Sequence, residues 1–187
     1  MQSNEPAEYA LLGLLKIQSM HGYEMFHYFE HGMLGKIVHL EMSQLYAYLK
    51  KLERMEYIQA RLEAQGSRPP RKVFHLTTRG ERLFQDWLRS SVEKPREMRM
   101  LFLIKLYFAR LFIPNEVADL LQRQIEACQT FLIQLETRTL SNPGSLPLEH
   151  SSDEAFFEQV VLSSRIYQTR SLLTWLIELH REMAEIR

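Results

Sequence analysis

Apolar residues recur at helical spacing along most of this chain, with one stretch of alternation between Tyr57 and Leu76. Pro6 to about Lys16 reads as a first helix, since proline suits an opening turn and Leu11, Leu14 and Leu15 share one side. Ser19 to Gly22 is a short break. Tyr23 to Glu30 reads as a second helix, with Tyr23, Phe26 and Phe29 as its buried side. His31 to Glu41 holds two glycines and little pattern, and reads as a connector. A third helix spans about Ser43 to Met55, with Ser43 as candidate N-cap. Its Leu45, Tyr48, Leu49, Leu52 and Met55 fall on one arc. Ser43, Ala47, Lys50 and Arg54 fall on the opposite arc, with Tyr46 and Lys51 at its edges and Gln44 near the boundary.

The segment Tyr57 to Glu63 alternates as a half-buried strand does, and Arg71 to Leu76 repeats the pattern. Between them, Gln65-Gly66-Ser67-Arg68-Pro69-Pro70 is a turn, so the pair predicts a hairpin. Thr78 and Glu81 have capping-box spacing and open a fourth helix through Leu83, Phe84, Trp87 and Leu88.

Strand signals stop after Ser91. Met98 to Phe112 is helical and strongly apolar, and Pro114 starts a long helix to about Thr139. There Ala118, Leu121, Ile125, Cys128, Leu132 and Leu135 alternate at steps of three and four. Ser141 to Pro147 carries loop signals. A last helix covers about Ser152 to Ile186, where Leu162, Ile166, Thr169, Leu173, Leu176, His180 and Met183 form a second such seam. An intrachain bundle would use these seams. The last helix is also apolar at Phe156, Phe157, Leu172 and Ile177, which calls for partners on more than one side. A homodimer is expected, with Leu162, Ile166, Leu173, Leu176 and Met183 as its seam.

Composition narrows the class. The 187 residues are 45% apolar and 25% charged, which excludes a disordered chain. The formal net charge is zero, which excludes a strongly basic coat protein. Charge is uneven, however. Lys50 to Arg82 holds nine basic and four acidic residues, a local excess of +5 offset by the remainder. Met100 to Ile113, broken by Lys105 and Arg110, is too short to cross a bilayer. The start lacks the pattern of a signal peptide, and the lone Cys128 has no partner for a disulfide or a thiolate zinc site. A soluble, cytoplasmic protein without membrane attachment is expected.

No phosphate loop or nucleophile motif is present, and no enzyme activity or cofactor is expected. His27 and His31 are spaced i, i+4, with His21 and His39 nearby. Lacking an accompanying Cys or HExxH pattern, they read as surface or packing histidines, and no metal is expected.

Three helices, a hairpin and a linking helix make the order of a winged helix-turn-helix, whose third helix enters the DNA major groove. The expected fold is therefore mainly α. A winged helix-turn-helix domain would occupy residues 1–90, and a helical dimerisation domain residues 91–187. The basic excess lies on the third helix and the hairpin, or wing.

Three blocks resemble the PadR family of bacterial transcriptional regulators. Leu11-Leu12-Gly13-Leu14-Leu15 with His21-Gly22-Tyr23-Glu24-Met25 is similar to the family's opening. Leu45-Tyr46-Ala47-Tyr48-Leu49-Lys50-Lys51-Leu52-Glu53 is similar to its recognition helix. Gly66 to Thr77, with Gly80, is similar to its wing and the turn that follows. There are departures: Ala47 stands for a proline, Glu56 for a glycine after the recognition helix, and Met42 and Ser43 where proline and glycine are frequent. The helical half resembles the longer subgroup shared with AphA-type virulence regulators.

The winged-helix reading gives base contacts to Ser43, Gln44, Tyr46 and Ala47, and phosphate contacts to Lys50, Lys51 and Arg54. Arg68, Arg71 and Lys72 on the wing would add sequence-independent affinity. The resemblance implies a phosphate contact for the Tyr23 hydroxyl, and Glu24 is expected to orient its neighbours. The partner would be double-stranded DNA carrying a near-palindromic operator. A repressor relieved by a small phenolic or aromatic effector is expected, with no effector residue assigned beyond a cleft near Trp87. An AphA-type activator and a winged-helix interaction module without operator reading remain open alternatives.

Overall fold

The structure is a computed structural model that describes residues 5–65, 68–92, 95–141 and 153–185. The elements run α1 (Pro6–Ile17), β1 (Met20–His21), α2 (Gly22–Glu30), α3 (Met33–Ile37), α4 (Met42–Arg54), β2 (Ile58–Gln65), β3 (Arg68–Leu76), α5 (Thr78–Arg89), α6 (Pro95–Phe112), a 3-10 turn (Pro114–Glu116), α7 (Val117–Ser141) and α8 (Asp153–Glu185). The expected turn at Gly66–Ser67 and the loop beyond Ser141 lie outside the described residues. Two compact units result. The first joins residues 1–90 to Met100–Phe112, and the second joins Ser91–Arg99 to Ile113–Arg187. Most of α6 thus clusters with residues 1–90, and its apolar rings pack in the first unit.

In that unit α1 is buried along most of its length, with Ala10, Leu11, Leu12 and Leu14 fully enclosed. It packs on α4 and α5, and α4 contributes Leu45, Leu49 and Leu52. Gly13 is required by packing: a Cβ there would lie 2.3 Å from the Phe108 ring. Phe108 meets Phe84 edge-on at 5.5 Å and stacks on Phe112 at 5.9 Å. Lys105, a break in the apolar pattern of α6, is buried and useful. Its Nζ donates to the carbonyls of Trp87 and Ser90, both at 2.5 Å, and so satisfies the C-terminal end of α5. Lys16 donates to Glu81 at 2.6 Å, and that hydrogen bond holds the Glu81 carboxyl below the usual carboxylate range.

The sheet has order β1-β3-β2 and is antiparallel throughout. β1 pairs Met20 with Phe74, and β2 pairs Ile58 with Leu76. This turns the expected break after α1 into the third strand of the wing. Two residues are too few to show a period, so the strand had no sequence signal. The supposed connector before α4 likewise holds α3, whose Leu34 is buried.

Helix ends also differ from expectation. The helix starts at Gly22 with His21 as its cap, and its buried stripe is Gly22, Met25 and Phe29. Tyr23 is thereby turned outward and is 64% exposed. Ser43 is not the N-cap of α4. Glu41 is, and its backbone N–H donates to the Gln44 Oε1 at 3.1 Å. At α5 the cap is Thr77, not Thr78, and its hydroxyl accepts from the Gly80 N–H at 3.0 Å.

α4 ends in a Schellman turn. The N–H of Tyr57 reaches the Leu52 carbonyl at 3.0 Å, and the N–H of Glu56 reaches the Glu53 carbonyl at 3.0 Å. Glu56 stands at the left-handed position with φ of 59°. The turn keeps its geometry without a glycine because Thr77 Oγ1 donates to the Glu56 carbonyl at 2.7 Å.

In the second unit α7 packs along α8. Leu120, Leu121, Ile125, Cys128 and Leu135 of α7 are buried, as are Thr169 and Leu176 of α8. Arg170 of α8 donates to Glu136 of α7 at 2.6 Å. The buried Gln124 side chain bonds both the N–H and the carbonyl of Val92, at 2.7 and 2.8 Å. Burial pushes the Cys128 thiol upward, which leaves it a packing group.

Candidate nucleic-acid interface

α4 shows a divided surface. Its apolar arc is enclosed, and Ser43, Gln44, Tyr46, Ala47, Lys50 and Arg54 are exposed on the other side. A shallow groove lined by Ala47, Lys50, Lys51, Glu53 and Arg54 runs beside this face. Its first turn presents Ser43 and Gln44, the part of a recognition helix that meets base edges.

These side chains are not equally free. Gln44 spends its Oε1 on the Glu41 cap, leaving its amide N–H groups as donors. Tyr46 is 48% exposed, and its ring lies so close to Gly22 that a Cβ there would be 2.8 Å from the Oη. It therefore joins the start of α2 to α4 as well as facing outward. Lys51 is half-buried and donates to Glu8 of α1 at 2.5 Å. Glu8 is fully enclosed and its Oε2 has no hydrogen-bond partner, so Lys51 is its charge compensation. Lys50 and Arg54 make no ion pair among the described residues and remain available to phosphate.

The wing has the same division. Lys72 donates to Glu53 of α4 at 3.0 Å and lies over the Phe74 ring. Arg71 is exposed, with Nη1 2.9 Å from the Nε2 of His21. The His21 Nδ1 already accepts the Glu24 N–H at 3.1 Å, so a neutral ring carries its proton on Nε2. Nε2 then cannot accept from Arg71, and the guanidinium is left with most of its donors unspent. Glu24 closes the cap reciprocally, accepting the His21 N–H at 3.0 Å, which is the orienting role its position suggests. The Arg68 side chain lies outside the described residues.

The structure thus brings the first turn of α2, the outer face of α4 and the base of β3 into one contact network. Sequence reasoning missed Glu8 and His21 as parts of it. Their only signals were a carboxylate on an otherwise apolar helix and a histidine just before a helix start. The expected dimer seam lies on α8. Leu176 is fully buried within the chain, and Leu162, Ile166, Leu173 and Met183 are half-buried. The exposed apolar residues of α8 are instead Phe156, Phe157, Val160, Val161, Tyr167, Trp175 and Ile177. Trp87, near the expected effector cleft, stacks on Tyr9 at 4.1 Å. No helix among the described residues is long and apolar enough to cross a membrane.

Comparison with known proteins covers both halves. The model of the transcriptional regulator PadR-like family matches residues 11–86, and the model of the virulence activator alpha C-terminal region matches residues 98–184. The negative transcriptional regulator PadR of Bacillus subtilis is 30% identical over 170 residues, which is 90% of this chain and 92% of that protein. Among solved structures, Bacillus subtilis PadR in complex with operator DNA is 27% identical, with 95% of this chain and 99% of that chain covered and a TM-score of 0.46. Its complex with p-coumaric acid is 26% identical, with 96% and 99% covered and a TM-score of 0.43. Carrying both family regions in order and a relative at this identity over nearly its whole length, the chain belongs to the PadR-like family of transcriptional regulators, which are not enzymes.

Proposed function

We propose that this regulator is a cytoplasmic homodimeric repressor that reads a near-palindromic operator. The observation that carries this is the outer face of α4, where Ser43, Gln44 and Ala47 lie open and are flanked by Lys50 and Arg54, exposed cations without an ion pair among the described residues. Ser43 and the Gln44 amide would bond base edges, and Ala47 would meet a thymine methyl. Lys50, Arg54, Arg68, Arg71 and the Tyr23 hydroxyl would grip phosphates. Lys51 and Lys72, each held by a carboxylate, would chiefly position α4 and the wing.

The Bacillus subtilis relative, whose name is that of a negative regulator, supports repression as the reading. Residues 1–90 would carry the DNA-reading module, and the helical remainder would supply the dimer through the exposed apolar side of α8. Two copies would place their α4 helices one or two turns of DNA apart. A small phenolic or aromatic effector, as the family resemblance implies, would shift the dimer away from the DNA-compatible geometry.

Genome-wide binding-site mapping followed by a salt titration on the best site tests this reading. A palindromic motif with steep salt dependence is the expected result. Mapping that returns no discrete motif would overturn it in favour of an interaction module.

A further inference from the structure

One cluster on the winged-helix unit has no part in the reading above. His27, Glu30 and His31 stand together at the C-terminal end of α2, all three exposed. The ring centroids of His27 and His31 are 4.4 Å apart, and the Glu30 Oε2 lies 3.2 Å from the His31 Nε2. One ligand atom from each residue falls within 4.8 Å of the others. Among the described residues no other group of three such side chains comes this close.

We propose that this cluster binds a divalent transition-metal ion of the zinc, nickel or copper class. Imidazole nitrogen is the donor these ions prefer, and two imidazoles with one carboxylate form a three-ligand set that leaves a position for water. The helix supplies the preorganisation. Residues four apart face the same way, so the backbone holds the two rings side by side at no further cost. The His31 N–H bonds the His27 carbonyl at 2.9 Å, which keeps this last turn closed.

The remaining adjustment is small. Tetrahedral coordination at about 2.0–2.2 Å sets ligand atoms roughly 3.5 Å apart. The exposed side chains close that gap by rotation alone. A cation also suits the site, because the C-terminal end of a helix carries the negative end of its dipole. The other histidine–carboxylate pairs among the described residues, His21 with Glu24, His39 with Glu41 and His75 with Glu63, each offer a single imidazole and lack the chelate. Sequence spacing alone left His27 and His31 as surface groups. The structure adds the Glu30 carboxylate, which comes within 4.8 Å of both imidazoles. A bound ion would brace the end of α2, which packs against α3 and α4.

Isothermal titration of the full chain with zinc chloride, repeated with nickel chloride, tests the site. One equivalent per chain at micromolar affinity is expected. His27→Ala and His31→Ala should each abolish that binding, Glu30→Gln should weaken it, and His39→Ala should leave it unchanged. All four positions are exposed, and circular dichroism checks that each variant is folded. Absence of binding by either metal overturns the proposal, as does binding that survives in the folded His27→Ala, His31→Ala double variant.

Discussion

α4 and α8 both keep one side enclosed, yet their open sides are opposites. The open side of α4 carries hydroxyl, amide and cationic groups, with a single small apolar residue, Ala47. The open side of α8 carries Phe156, Phe157, Val160 and Val161, with Phe157 63% exposed. Water solvates the first surface well, so little is lost while it stands free, and a polyanion can displace that water and its counterions. The second surface is costly in water at about 25 cal/mol per Å² of apolar area. Length adds to the contrast, since α8 has 33 residues against 25 in α7 and outreaches the helix it packs on. On the proposed reading, the first face meets DNA and the second meets a second copy of the chain.

The largest test of this contrast attacks α8. Phe157→Asp combined with Val161→Asp should split the proposed dimer. At about 1 kcal/mol for each of the two side chains, counted in both protomers of a symmetric pair, the loss is about 4 kcal/mol and the dissociation constant rises roughly a thousandfold. Analytical ultracentrifugation reads this directly, and an unchanged dimer would place the interface elsewhere.

Next comes Lys51→Met, which strands the buried Glu8 carboxylate. Because Lys51 is partly in water, a loss of about 2–3 kcal/mol is expected in urea unfolding, below the range for fully enclosed pairs. Glu8→Gln with Lys51→Met should recover much of it. A Lys51→Met protein of normal stability but weakened DNA binding would return Lys51 to the phosphate contacts.

Arg54→Ala and Arg71→Ala should each lower the slope of log K against log salt by about one unit for any DNA sequence. Lys72→Ala should change it less, since Glu53 already engages that ammonium. Equal slopes in all three variants would erase the distinction between free and engaged cations.

The smallest effect concerns the end of α4. Glu56→Gly relieves a left-handed backbone at the loss of an exposed ion pair to Arg79, and should raise stability by up to about 1 kcal/mol. A fall in thermal midpoint would show that the Glu56 side chain matters more than its backbone.

Much of the fold was legible because long amphipathic helices declare themselves by period. Both seams, the two main strands and the order of a winged helix follow from spacing alone. β1 and α3 were not legible, since two and five residues are shorter than any period that could reveal them. Tyr23 was misread as a buried residue because steps of three were followed from Tyr23, whereas Gly22, Met25 and Phe29 face the core. The residues proposed for DNA were legible as a polar arc, and the structure leaves most of them exposed. Their partners were not legible.

That division follows from the reach of the forces involved. Helix periodicity, wing charge and the kinship with PadR-like regulators are local or linear properties, and they can be read along the chain. Whether a lysine is free or tied depends on a carboxylate brought from 43 positions away for Lys51 and 19 for Lys72. The same holds for Leu176, which a heptad pattern offers to a partner chain and which the fold of its own chain encloses. Pairing at a distance in sequence is settled only when the chain packs, because only then are desolvation and charge compensation decided together.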